Sequence, residues 1–383
     1  MLVVDAGPSV LTKAILTARH RLEVYMRPRD LSAHGAYIPG EGIEEVAREL
    51  DMEPDALLAL GSNENPLGPS PKAVEAIQAG AEAVAEYPKS SHTDLTRTLA
   101  EQWGVTPAQI WLSPGADGAI DYLSRAALEP GDRVLLPEPG FAYYGMSTRY
   151  HHGETDTYPV SRERDFAMPV EAVLEAYDGH RIVHLTTPHN PTGAIYTRDE
   201  IREIAAETND ETLVVVDEAY GEYNRHPSAR DLVEERSDIA VLRTFSKAYG
   251  LAGLRLGYAI VPEAWADAYA RINTPFAVNE LACRAGLAAL EDDAHLEASI
   301  ESARWGRQRM HEAINAPTWE SHGNFVLAHV GDATAIAEAL KHEGVIVRDC
   351  TSFGLPECIR VSCGTREGTE QAIDAINEVL ETA

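Results

Sequence analysis

The sequence predicts an α/β fold: a large domain with a mostly parallel sheet flanked by helices, and a smaller α+β domain at the C-terminal end. Three observations carry this. From about Ser62 onward, short apolar runs alternate with stretches of helical periodicity, the mark of βαβ units whose strands are covered on both faces. The chain has 383 residues, 44% of them hydrophobic, which is enough for two domains. After about Pro275 the rhythm changes to long helical stretches with few strands between them. The expected division is residues 1–25 as an extension, 26–66 as an N-terminal arm or lid, 67–275 as the large domain and 276–383 as the small one.

Each element has a local reason. Ser70-Pro71 is a helix start, an N-cap acceptor followed by proline where the missing N–H costs nothing. Val74, Ile77, Ala81 and Val84 then recur at three and four, predicting one buried stripe. Ile110 to Ser113 reads as a strand, followed by Pro114-Gly115 and a helix carrying Ile120, Leu123 and Ala127, closed near Gly131. Arg133 to Pro137 and Ile182 to Thr186 are further strands. Thr197 with Glu200 forms a capping box for a helix containing Ile201 and Ile204. Leu213 to Val216, Ala240 to Thr244 and Leu254 to Val261 are β-rich. Beyond Pro275, helices cover roughly Asn279 to Ile314. A strand (Asn324 to Val330), a helix (Ala333 to His342) and two short strands (Val345 to Arg348, Cys358 to Ser362) follow. A last helix carries Ala372, Ile373, Ile376 and Leu380 on one face. Asp51 to Asp55 reads as a loop.

Composition excludes several functions. With 32 Lys+Arg against 61 Asp+Glu the formal net charge is −29, and such a surface repels phosphate backbones, which argues against nucleic-acid binding. No run of 18 apolar residues occurs, so no membrane span is expected. Only five bases are lysines (Lys13, Lys72, Lys89, Lys247 and Lys341). Many acids with few lysines suit a salt-loaded cytoplasm, where concentrated salt screens self-repulsion. The four cysteines lack CxxC spacing, so a reducing, cytoplasmic compartment is expected. Residues 6–29 run against the trend, with five bases and one acid. They have neither an apolar core nor a cleavage site, and a translation start at Met26 is the simpler expectation.

The familiar catalytic signatures are missing. There is no GxxxxGK[ST], no GxGxxG after a strand, no GxSxG and no HExxH. Leu213 to Glu218 resembles a magnesium-binding ATPase strand but has no phosphate loop to serve. The 14 histidines lack ligand spacing, so no metal site is expected. What remains is a series of strand ends. Ser113 to Gly118 lies between a strand and a helix, where backbone N–H groups form an anion site. Asn190, Asp217-Glu218-Ala219-Tyr220, Thr244-Phe245-Ser246-Lys247 and Arg255 each end or follow a strand. In an open parallel sheet such ends meet in one crevice. A lysine among apolar residues is a nucleophilic amine. A buried aspartate holds a cationic ring nitrogen, asparagine and tyrosine donate to a phenolate, and serine and arginine hold a phosphate. Together these are the requirements of pyridoxal phosphate.

NPTG, DEAY and TFSKAYGLAGLRLGY resemble the fold-type I aminotransferases. SNENPLGPSP, SPGADG, GNFVLA, GVIVRD and CIRVSCGT narrow the resemblance to the histidinol-phosphate aminotransferase family, from about Arg27 to the C-terminus. This resemblance implies a mostly parallel seven-stranded sheet in the large domain. It implies that Lys247 forms the imine link to pyridoxal 5'-phosphate and then shuttles the proton. It implies Asp217 on the pyridine nitrogen, and Tyr220 and Asn190 on the ring oxygen. The amides of Ala116 and Asp117, with Ser246, Arg255 and Thr244, would hold the cofactor phosphate. Phe141 sits where the family often has a ring-stacking tyrosine. Tyr87 would reach the phosphate from a neighbouring subunit, implying a homodimer. Arg360, assisted by Arg348, would hold the substrate phosphate, with Tyr37 and Asn65 in the segment closing over substrate. The implied reaction is L-histidinol phosphate plus 2-oxoglutarate to imidazole acetol phosphate plus L-glutamate, in L-histidine biosynthesis. A threonine-phosphate decarboxylase-like lyase and an aromatic amino-acid aminotransferase share much of the pattern.

Overall fold

The computed structural model describes residues 31, 34–89 and 92–382. The chain divides by compactness into Met1–Ala36 and Tyr37–Ala383. In the first unit the backbone N–H of His34 donates to Leu31 O at 2.8 Å. The expectations for the basic N-terminal extension and the start codon fall outside the described residues. The elements below belong to the second unit.

Seven strands form the central sheet: β2 (Ile110–Ser113), β3 (Arg133–Glu138), β4 (Glu154–Pro159), β5 (Ile182–Thr186), β6 (Leu213–Asp217), β7 (Ile239–Thr244) and β8 (Gly257–Ile260). Their order is β2-β8-β7-β6-β5-β3-β4. The neighbours from β7 through β4 pair in parallel, and β8 runs against both β7 and β2. The strands β5 and β6 are buried at every position, as a sheet covered on both faces requires. One apolar cluster, with Leu135, Val183, Val214 and Phe245, fills one face. A second, with Trp111, Ile120, Val134 and Val215, fills the other.

The sequence-based strands match closely, with four differences. The expected strand Val345 to Arg348 is split into Val345–Ile346 and Arg348–Asp349, which belong to two separate sheets, and the short strand Leu58–Ala59 was not expected. The edge strand β4, Glu-Thr-Asp-Thr-Tyr-Pro, was not expected. Its only buried residue is Tyr158, so it presents no apolar run. The run beginning at Leu254 starts as a strand only at Gly257, because Ala252–Leu254 is a 3-10 turn and Arg255 takes a left-handed conformation (φ 54°).

Helix starts follow their caps. Ser70 accepts from the Ala73 N–H at the head of Pro71–Gly80. Thr197 and Glu200 close the expected box on Arg198–Glu207, with Thr197 N donating to Glu200 Oε2 at 2.7 Å. The stripe predicted for the first of these helices is corrected. Its buried positions are Ala73 and Gly80, and the helix gives way to a 3-10 turn that leaves Val84 67% exposed.

A second core lies around a three-stranded sheet of order β11-β12-β9: β9 (Phe325–His329), β11 (Arg348–Asp349) and β12 (Cys358–Ser362). Ala333–His342 and Arg366–Thr382 cover it, the latter burying Ala372, Ile373 and Ile376. The N-terminal segment is tied to these elements. Strand β1 (Leu58–Ala59) pairs in parallel with β10 (Val345–Ile346). The helix Ile43–Leu50 packs Val46 and Ala47 beside Ile346, and Lys341, buried at 6% exposure, bridges Glu41 and Glu49. No helix among the described residues is long and apolar enough to cross a membrane.

Candidate active site

The ends of β2, β5, β6 and β7 supply most of the expected residues. At the end of β2 a tight turn opens the helix Gly115–Ala127. Gly115 is required here by its left-handed backbone (φ +79°), and a Cβ would also push aside the Arg255 guanidinium, 2.5 Å away. Gly257 is required too, because a Cβ there would meet the Gly115 carbonyl carbon at 2.5 Å. Two glycines thus let Arg255 lie against a helix N-terminus, whose first-turn N–H groups and dipole favour an anion. Arg255 Nη2 donates to Asp117 Oδ2 at 2.9 Å. Ser246 and Thr244 lie within one turn, their hydroxyls 3.0 Å apart. Thr244 also donates to Leu256 O, so it staples the turn that carries Ser246 and Lys247.

Asp217 ends β6, fully buried. Burial pushes its carboxyl up to about 6, against the hydrogen bonds from Tyr144 and Ala219 that pull it down. Tyr144 donates to Oδ2 at 2.7 Å and Ala219 N–H to Oδ1 at 2.9 Å. Tyr220 follows; its hydroxyl accepts from Asn63 Nδ2 at 3.0 Å, which leaves its own proton to donate. Lys247 Nζ lies 5.5 Å from the Tyr220 ring centroid and donates to Ser62 O at 3.1 Å. Asn190 is buried, with its carbonyl oxygen accepting from Arg360 Nη1.

Arg360 is the most exacting residue electrostatically. It is 5% exposed. It donates to Asn190 and to Gly61 O (2.7 Å), and its Nε has no partner among the described residues. Its guanidinium faces the rings of Phe325 and Phe353 at 5.4 and 5.8 Å. Among the described residues no carboxylate balances it, and burial pulls its pKa down. On the neighbouring strand Arg348 is its cross-strand partner. Like charges placed opposite one another in a sheet destabilise it, and an unpaired buried charge costs several kcal/mol. The pair therefore invites an anion. Arg348 is held by Ile38 O (2.8 Å) and Ser352 Oγ (3.1 Å). Tyr37 stands within the fields of Arg348, Asp117 and Arg360, its pKa raised chiefly by burial. It meets Phe141 edge-on at 6.3 Å.

Two expected residues sit elsewhere. Asn65 gives its amide protons to Ala248 O and Ser299 Oγ (2.9 Å each), and its Oδ1 accepts from Leu67 N–H at 3.0 Å. It pins the arm, and no amide proton is left for a substrate. Asn63, two residues earlier in the same motif, is the one that faces Tyr220. Tyr87 is 84% exposed and its ring lies 4.9 Å from that of Phe276; among the described residues it makes no hydrogen bond to the site of its own chain. Tyr144 and Thr186 escaped the sequence reading. Their signal was slight: Tyr144 and Thr148 share the buried side of Tyr143–Tyr150.

These donors fit pyridoxal phosphate: a buried acid for a ring N–H, a free phenol proton, and an anion cup beside the lysine. The Aminotransferase class I and II family model matches residues 55–376, and the chain belongs to that family. Within it, the chain is 64% identical to the histidinol-phosphate aminotransferase of Haloferax volcanii, covering 93% of this chain and 98% of that one. It is 58% identical to that of Halobacterium salinarum, over 93% of this chain and 100% of the other. Among solved structures, histidinol-phosphate aminotransferase from Sinorhizobium meliloti in complex with pyridoxal-5'-phosphate superimposes with a TM-score of 0.85. It is 26% identical, with 94% of this chain and 99% of that one covered.

Proposed function

We propose that this protein is a pyridoxal-phosphate-dependent histidinol-phosphate aminotransferase that uses 2-oxoglutarate as amino acceptor. The observation that carries the substrate reading is the Arg348–Arg360 pair, two arginines opposite one another across a strand pair, with no carboxylate among the described residues on the buried one. A doubly charged phosphate matches two guanidinium forks. Pyridoxal phosphate, when bound, supplies a ring that accepts the electrons released at the substrate α-carbon.

The chain's residues do the rest. Ionised Asp217 keeps a ring nitrogen protonated. Tyr220 and the Asn190 amide nitrogen donate to the ring oxygen. The N-terminal turn at Ala116 and Asp117, with Ser246 and Arg255, holds the cofactor phosphate. Lys247 carries the cofactor and, once released, moves the proton at the substrate α-carbon. Phe141 covers the ring, and Tyr37 with the arm excludes water.

We read the exposed Tyr87–Phe276 pair as part of a homodimer interface through which Tyr87 serves the partner's site. The division at about residue 275, the cytoplasmic location and the adaptation to high salt are parts of the same proposal. The test is a comparison of Arg360→Ala with wild type. Phosphorylated substrate should lose about 100-fold in kcat/KM, the worth of a buried charge-assisted pair, while cofactor affinity stays. Equal loss of cofactor would contradict the assignment.

A further inference from the structure

We propose that Tyr144 is a positioning residue for the reaction: its hydroxyl, itself oriented by Thr186, fixes one oxygen of Asp217 and so aims the carboxylate at the ring nitrogen. The inference rests on the cofactor reading above and deepens it.

The geometry is a short relay. Tyr144 Oη lies 2.7 Å from Asp217 Oδ2 and 2.9 Å from Thr186 Oγ1. An ionised carboxylate only accepts, so the single phenolic proton goes to Asp217. Thr186 must then donate to Tyr144. Such chained hydroxyls polarise one another, making the phenol a stronger donor. The other carboxylate oxygen accepts from Ala219 N–H, so both oxygens are held and the carboxylate cannot swing.

The phenol is held as firmly as the acid. Its ring stacks on His184 at 4.4 Å and 20°, and Phe141 meets it edge-on at 5.6 Å. His184 is fully buried, and neither ring nitrogen has a partner among the described residues. Burial pushes it down to about 3, so it stays neutral and acts as a flat support. Three elements therefore converge on Asp217: β5 through Thr186 and His184, the helix Tyr143–Tyr150 through Tyr144, and β6 itself.

The charged or titratable groups facing Asp217 are Tyr144, Asp117 and Glu218. The two acids favour its neutral form, as does burial. Tyr144 opposes them, and removing its proton donor leaves Asp217 protonated at higher pH. A neutral acid no longer stabilises a cationic ring nitrogen.

The experiment measures the cofactor dissociation constant of the holoenzyme between pH 5 and 8, by ultrafiltration and absorbance of released pyridoxal phosphate. In wild type, affinity should fall on acidification with a midpoint near 6. In Tyr144→Phe the midpoint should rise by about 1, so affinity should fall about twofold at pH 7 and about tenfold at pH 5. Thr186→Val should shift it the same way by less, and Thr186→Ser should restore it. A Tyr144→Phe or Thr186→Val protein that melts lower but keeps the wild-type midpoint would mean a merely structural role and overturn the proposal. A wild type that does not bind pyridoxal phosphate would overturn the cofactor reading itself.

Discussion

At the scale of single residues, chemistry-bearing side chains at strand ends were legible, and those that support them were not. Lys247 and Asp217 stand out as charged residues at the ends of apolar strands, Asn190 as the residue held between two prolines, and Arg360 only through the family resemblance. Tyr144 does not stand out, because an aromatic on a helix reads as core, and only the fold reveals that its hydroxyl meets an acid. Asn65 misled for a related reason. Two asparagines in one motif are chemically equivalent in sequence, and backbone position alone sends one to Tyr220 and the other to Ala248 O. Asp217 carries a prediction of its own. Its carboxyl rises from 3.8 to about 6 on folding, so the cofactor-free native state holds its proton more tightly than the unfolded chain. Stability is therefore lost as pH rises through that window, by up to about 3 kcal/mol. Cofactor-free Asp217→Asn should melt above wild type at pH 7 to 8, with the gap closing below pH 4, and should lose catalysis. Calorimetry across pH checks this. Lys247→Ala should bind no imine-linked cofactor and show no turnover; retained turnover would contradict the assignment.

At the scale of elements, caps and apolar periods placed most helices and strands. The failures have a common cause: β4 and the start of β8 are set by neighbours rather than by their own residues. An edge strand with one buried side chain has no signal to read. The phosphate turn is the element on which the site depends most. Gly257→Ala would drive a methyl group into the Gly115 backbone. It is expected to cost about 2 kcal/mol and to weaken cofactor binding, which absorbance titration and thermal melts would register together. By contrast, Thr197→Ala removes a helix cap remote from that turn. It should cost about 1 kcal/mol and leave cofactor affinity unchanged.

At the scale of the whole molecule, the −29 charge acts on the coat rather than on the chemistry. Few of its acids touch the site, and the cationic pair at Arg348 and Arg360 stands inside an anionic surface. Screening by concentrated KCl should raise the melting temperature steadily; a flat or falling series would remove the high-salt reading. The proposed dimer rests on Tyr87, an exposed tyrosine whose expected role lies in a neighbouring subunit and whose ring meets Phe276 in its own chain. Mixing inactive Lys247→Ala and Tyr87→Ala subunits should recover part of the activity, since hybrid dimers rebuild one intact shared site; no recovery would place Tyr87 outside the site. The central claim is that paired arginines select a phosphorylated amine for transamination. The most direct test compares kcat/KM for L-histidinol phosphate and L-histidinol, with 2-oxoglutarate, on the pyridoxal-loaded protein in high salt. We predict a preference of about 100-fold or more for the phosphorylated substrate. Equal turnover of the two, or carbon dioxide release from threonine phosphate without 2-oxoglutarate, would contradict it.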